Sequence, residues 1–163
     1  MNLKQQKEFI QFFQRLQEEK KFSYTNQQIA QLRSYETLLF DCFLWRSRNL
    51  YLTLFINFFN RTISDDKFEK QLISLRSNHI REFNELMKQL QLKINSEFLN
   101  KFEIHLNAFG FADIIDLIEE HCDSFVSDKL LVEIGNSREE GEIDENQLRG
   151  WIKKTLECLE NYI

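Results

Sequence analysis

Proline is absent from all 163 residues, and that omission narrows the possible folds more than any motif in the chain. Proline is the residue that helix interiors exclude, while turn-rich β architectures use it freely at bends and edges. The apolar residues also recur mostly three and four positions apart, which places them on one side of a helix. Together these point to an all-α protein, an antiparallel helical bundle with a four-helix core and an extra N-terminal helical pair. Sixteen phenylalanines make the expected core unusually aromatic.

The spacing predicts a first helix from Leu3 to Lys20, with Phe9, Phe12, Phe13 and Leu16 as its stripe. Thr25 or Asn26 is expected to cap a second, carrying Ile29, Leu32, Tyr35, Leu38, Leu39 and Phe43. Asp41 and Arg46 would mark its end, and Arg46–Asn49 a break. Residues 50–59 are apolar almost all round, as a helix buried on most sides would be. At about ten residues this run is half of what a bilayer needs. Ser64 or Asp65 caps the next helix, which continues to Leu90. Phe68, Leu72, Leu75, His79, Phe83, Leu86 and Leu90 form its stripe, broadened by Ile73, Ile80 and Met87. Arg76 falls within that arc, either reaching out at a seam between helices or serving as a buried partner for a carboxylate. Asn95–Phe109 is expected to be loop plus a short helix, with Gly110 as a turn. Gly135–Gly141 is expected to be a mobile acidic loop. Asp144 and Gln147 should box the start of a last helix, with Leu148, Trp151, Ile152, Leu156, Leu159 and Tyr162 inward and Arg149 facing water. This division sets residues 1–48 apart as an extension and 49–163 as the bundle.

Charge is distributed unevenly along the chain. Residues 1–101 carry a balance of +5 and residues 102–163 a balance of −10, giving the net −5. A helix expected over Asp113–Asp128 concentrates the acid, with Ser127-Asp128 either closing it or capping a short helix over Lys129–Ile134. Ile114, Leu117, Ile118, His121, Cys122 and Phe125 fall on one side; Asp113, Asp116, Glu119, Glu120 and Asp123 fall on the other. No Lys or Arg lies between Phe102 and Asp128. Like charges at these spacings cost roughly 0.2–0.5 kcal/mol per exposed pair, and late acids oppose the helix dipole. A solvated surface is the ordinary explanation; a face kept for a basic partner is the sharper one. An acidic half repels phosphate, so nucleic acid is not an expected partner.

Little else suggests chemistry. Four scattered glycines cannot build a phosphate loop. His79, His105 and His121 have neither the order nor the spacing of metal-ligand pairs, so no metal or other cofactor is expected. The adjacent His121 and Cys122 point about 100° apart on a helix and do not form a nucleophile–base pair by themselves. Cys42, Cys122 and Cys158 are an odd number without a CxxC spacing. With no leader-like start and no membrane-length apolar run, they suggest free thiols in a reducing cytoplasm.

From Asn49 onward, three stretches resemble one family. Leu54-Phe-Ile-Asn-Phe-Phe-Asn-Arg-Thr-Ile-Ser-Asp-Asp-Lys-Phe68-Glu69 is similar to its opening helix, turn and second-helix start. Leu117-Ile118 followed by Asp123, Phe125 and Asp128 is similar to the end of its third helix. Glu142-Ile-Asp-Glu-Asn-Gln-Leu148 is similar to the start of its last helix. The family is that of the colicin D-type, self-protective colicin-like immunity proteins. The resemblance spans roughly 115 residues of the 163. It implies a non-enzymatic cytoplasmic protein that covers the basic active site of a bacterial nuclease toxin, one that cleaves tRNA, with acidic side chains. Asp123, Asp128 and the intervening Phe125 match the family positions, and the helical spacing adds Asp116, Glu119 and Glu120 as partner-binding residues. The alternative expectation is a non-catalytic bundle that binds or regulates another protein.

Overall fold

The computed structural model describes residues 8, 11, 12, 15, 25–92 and 107–160. Among them are six helices: α1 (Asn26–Arg46), α2 (Arg48–Phe59), α3 (Asp65–Leu92), α4 (Ala108–Asp123), α5 (Asp128–Ile134) and α6 (Glu145–Glu160). No strand occurs among the described residues, only one isolated parallel bridge between Phe125 and Ile143. The protein is an all-α helical bundle. Most of the expected first helix, most of the 95–109 segment including His105, and Tyr162 lie outside the described residues.

The helix starts follow local chemistry. The Gln28 amide donates to the Thr25 hydroxyl at 3.2 Å and the Gln28 side chain accepts from the Thr25 amide at 2.9 Å, a reciprocal capping box. Asp144 and Gln147 make the same exchange before α6, at 2.7 and 2.9 Å. Ser64 accepts from the Lys67 amide before α3, whose first turn carries Asp65 and Asp66 against its positive end. The expected break at 46–49 narrows to one residue, Ser47. Asp41 does not end α1; it is buried within it.

By contact density the chain forms two compact units. One joins Met1–Arg46 to His79–Phe109; the other joins Ser47–Asn78 to Gly110–Ile163. In the first, the Phe40 ring meets Phe83 edge-on at 5.0 Å, and Phe43 meets His79 edge-on at 5.7 Å. His79 is thus a buried core histidine.

The second unit holds the candidate site. Its core is built from Tyr51, Phe55 and Phe58 of α2, Phe68 and Leu72 of α3, Phe111, Ile115 and Ile118 of α4, and Leu148 and Ile152 of α6. The Phe58 and Phe68 rings stack at 4.2 Å, and Tyr51 meets Phe111 edge-on at 5.9 Å. α2 buries only the face of Tyr51, Leu54, Phe55 and Phe58, while Leu50, Ile56 and Phe59 are exposed. That corrects the expectation of a helix buried on most sides. Ile73 and Ile80 of α3 are likewise exposed rather than part of its inner stripe.

Arg149 corrects the sequence reading most sharply. Expected to face water, it is buried on α6. Its guanidinium lies 4.0 Å from the Phe58 ring centroid, donates to the Phe58 carbonyl and pairs with Glu145 at 2.5 Å. That carbonyl belongs to the last turn of α2, where unpaired acceptors and the negative dipole end favour a cation. The α2–α6 contact therefore centres on a charge held by an aromatic face, a carbonyl and a carboxylate. Replacing it by an apolar chain leaves the carbonyl of buried Phe58 short of a donor and Glu145 without its partner. Arg149→Met is expected to lower unfolding free energy by about 2 kcal/mol, read as a lower denaturation midpoint with unchanged slope.

Candidate protein-binding surface

The acidic helix is shorter and earlier than its charge pattern suggests. α4 runs Ala108–Asp123, so Gly110 is helical rather than a turn. A mid-helix glycine costs about 1 kcal/mol relative to alanine, which complete burial of Phe111, Ile115 and Ile118 outweighs. The buried face is Phe111, Ala112, Ile115, Ile118 and Cys122. Compared with the expected stripe, the helix is turned so that Ile115 points inward and Leu117, 44% exposed, points out. His121 stacks on Trp151 at 4.3 Å, and Trp151, expected inward, is 38% exposed.

The acids assigned to a partner separate into those already engaged within the fold and those left open. Arg76 of α3 reaches the Asp116 carboxylate at 2.5 Å and Glu119 at 3.2 Å. Of the two sequence readings of Arg76, the carboxylate partner is the one realised. The guanidinium also hydrogen-bonds the Tyr51 hydroxyl, whose pKa is pushed up to about 12, chiefly by burial. Burial likewise raises the Glu119 pKa, and Arg76 only partly offsets it. The ion pair and the upward shift therefore oppose each other at one carboxyl. The shift is the better guide to net charge preference, because half-burial removes water from Glu119 on several sides and Arg76 approaches from one.

Glu120 and Asp123 are exposed and have no ion-pair partner among the described residues. Asp128 is not the end of α4 but the first residue of α5, after the cap in which Ser127 accepts from the Leu130 amide at 3.2 Å. Its carboxylate pairs with Arg138 at 2.7 Å yet stays 85% exposed. Phe125 is 8% exposed, held by the bridge in which the Val126 amide donates to Ile143 and the Ile143 amide to Ser124. Its side chain is therefore mostly buried. The segment expected as a mobile acidic loop is clasped, because Arg138 also donates to the Val126 carbonyl at 2.9 Å.

Three acids that the sequence reading treated only as helix-start residues or left unremarked join the surface. The Glu69 pKa is raised by burial first, then by Asp66, with Asp123 and Asp65 adding to it and Lys70 opposing. The start of α3 and the end of α4 thus place carboxylates in one field. Only the Asp65-Asp66-x-x-Glu69 spacing hinted at this, and dipole complementation explained it well enough to hide it.

Among the described residues no group of three or more His, Cys, Asp or Glu side chains could hold a metal ion. Burial pushes the Cys122 thiol up to about 12, so it is not a nucleophile at neutral pH. Comparison with protein-family models, with curated proteins and with solved structures gave no match to this chain.

Two measurements check this electrostatic partition. Arg76→Gln is expected to destabilise by about 2 kcal/mol, and far more than Glu119→Gln. The double variant should recover part of that loss, giving a coupling of about 1 kcal/mol in a double-mutant cycle. The second is a pH series. Because the folded state holds the Glu69 proton more tightly than the unfolded chain, its stability contribution is fully present below the ordinary value of 4.5 and is lost as pH rises through the raised folded value. Glu69→Gln should therefore melt above wild type at pH 7, and the gap should close below pH 4.5.

Proposed function

We propose that this protein is a non-catalytic inhibitor that binds a basic protein through the acidic corner formed by the end of α4 and the starts of α3 and α5. The observation that carries this reading is the shared field of Asp65, Asp66, Glu69 and Asp123, which no described cation neutralises by ion pairing. Carboxylates held together in this way lower the stability of the free protein and strengthen attraction for a cationic surface. The partner named by the resemblance, a nuclease toxin whose active site is built to hold RNA, has the matching charge. Cys42 and Cys122 as buried free thiols suit action in a reducing cytoplasm. Glu120, Asp123 and Asp128 are the members of the original site best placed to reach a partner. Asp116 and Glu119 act chiefly through Arg76, and Phe125 from beneath the surface.

The alternative, a regulatory bundle that binds by apolar contact, draws on Leu117 and Trp151 at the α4–α6 surface. Charge reversal separates the two. Glu120→Lys with Asp123→Lys is expected to leave the fold intact, with a melting temperature no lower than wild type, and to weaken binding to a basic nuclease toxin encoded beside this chain by about a hundredfold, mostly in association rate. Growth protection by the chain should fall in step. Full protection by the double variant would overturn the surface assignment, and failure of the wild-type chain to bind any such toxin would overturn the partner.

A further inference from the structure

α5 is unusual in having no buried residue, although four of its seven are Leu130, Leu131, Val132 and Ile134. Leu130, Val132 and Ile134 are 47%, 82% and 54% exposed. Uncovered apolar side chains on one turn-and-a-half of helix are a surface awaiting cover. Beside them opens a cavity of about 210 Å³ lined by Asp66, Glu69, Phe125, Ser127, Lys129, Leu130 and Glu133. Its lining is mixed: an aromatic ring and a leucine together with three carboxylates and one ammonium. A purely apolar occupant would strand the carboxylates, and a compact hydrated cation would leave the ring and the leucine unused.

We infer that this cavity is the anchor point for an arginine side chain of the basic partner, its aliphatic stem lying along Leu130 and Phe125 and its guanidinium meeting Asp66 and Glu69. Arginine fits better than lysine because its planar, weakly hydrated head pairs with carboxylates in a fork and tolerates an aromatic neighbour. Lys129 does not already fill the role. Its side chain is 76% exposed, and among the described residues its ammonium pairs with Glu133 alone, at 3.9 Å. The positive ends of α3 and α5 do not repel the guest, since Asp65 and Asp66 answer the first and Asp128 with the Ser127 cap answers the second. The exposed remainder of α5 then covers the apolar rim around the anchor, as occurs where one buried arginine dominates an interface.

The inference rests on the proposed binding of a basic protein, but its test needs no such partner. The isotopically labelled full chain is titrated with N-acetyl-argininamide and, separately, with the neutral isostere N-acetyl-citrullinamide. Expected are amide shifts at Glu69, Ser127 and Leu130 with the arginine compound alone, weakened about tenfold in Glu69→Gln. Leu130→Ser, a change at an exposed site, should weaken binding in the same way without altering the fold. Equal response to citrullinamide, shifts confined to Glu120 and Asp123, or binding indifferent to both substitutions would each overturn the assignment. The charge-reversal experiment at Glu120 and Asp123 stands apart: success there with failure here leaves a basic partner and removes the arginine anchor.

Discussion

One guanidinium allows the acidic helix to lie in this fold. Arg76 projects from α3 toward Asp116 and Glu119 and also meets Tyr51. Without it, Asp116 and Glu119 would lose the cation that both contact, on a helix surface that carries five carboxyl groups. With it, the acids divide by position: two are bound into the fold, and Glu120 and Asp123 remain toward solvent. A helix that looks uniformly acidic in sequence is therefore electrostatically two-sided. The side that faces away from Arg76 borders the start of α3, where further acids gather.

Much of the fold could be read in advance because its signals are local. Thr25 with Gln28, Ser64 with Asp65, and Asp144 with Gln147 each announce a helix start within a few residues, and each cap forms. What could not be read depends on residues far apart. Arg76 and Asp116 are separated by 40 positions, and Arg149 and the Phe58 carbonyl by 91. Periodicity assigned Arg149 to water because nothing within a few turns could receive its charge. It likewise turned α4 toward Leu117 and His121, where tertiary packing buries Ile115 and leaves Leu117 exposed.

The candidate site shows the same division. Acidity over 113–128 was legible. The membership of the corner was not. Asp66 and Glu69 had a sufficient local reason to be acidic, so their second role needed tertiary placement to emerge. Phe125 had an aromatic identity that suits contact, yet the bridge to Ile143 turns it inward. The local explanation of a residue and its tertiary use are different facts, and only one of them is written in the neighbouring letters.

α5 has a consequence for how such a protein can change over generations. It is secured at its ends, by the Ser127 cap, the left-handed Gly135 and the Arg138 clasp, and not by anything its own side chains bury. Substitutions along its outer surface therefore alter what the corner presents while leaving folding nearly untouched. A lineage obliged to follow a changing partner has in this segment a stretch of sequence free to vary, mounted on a core that is not.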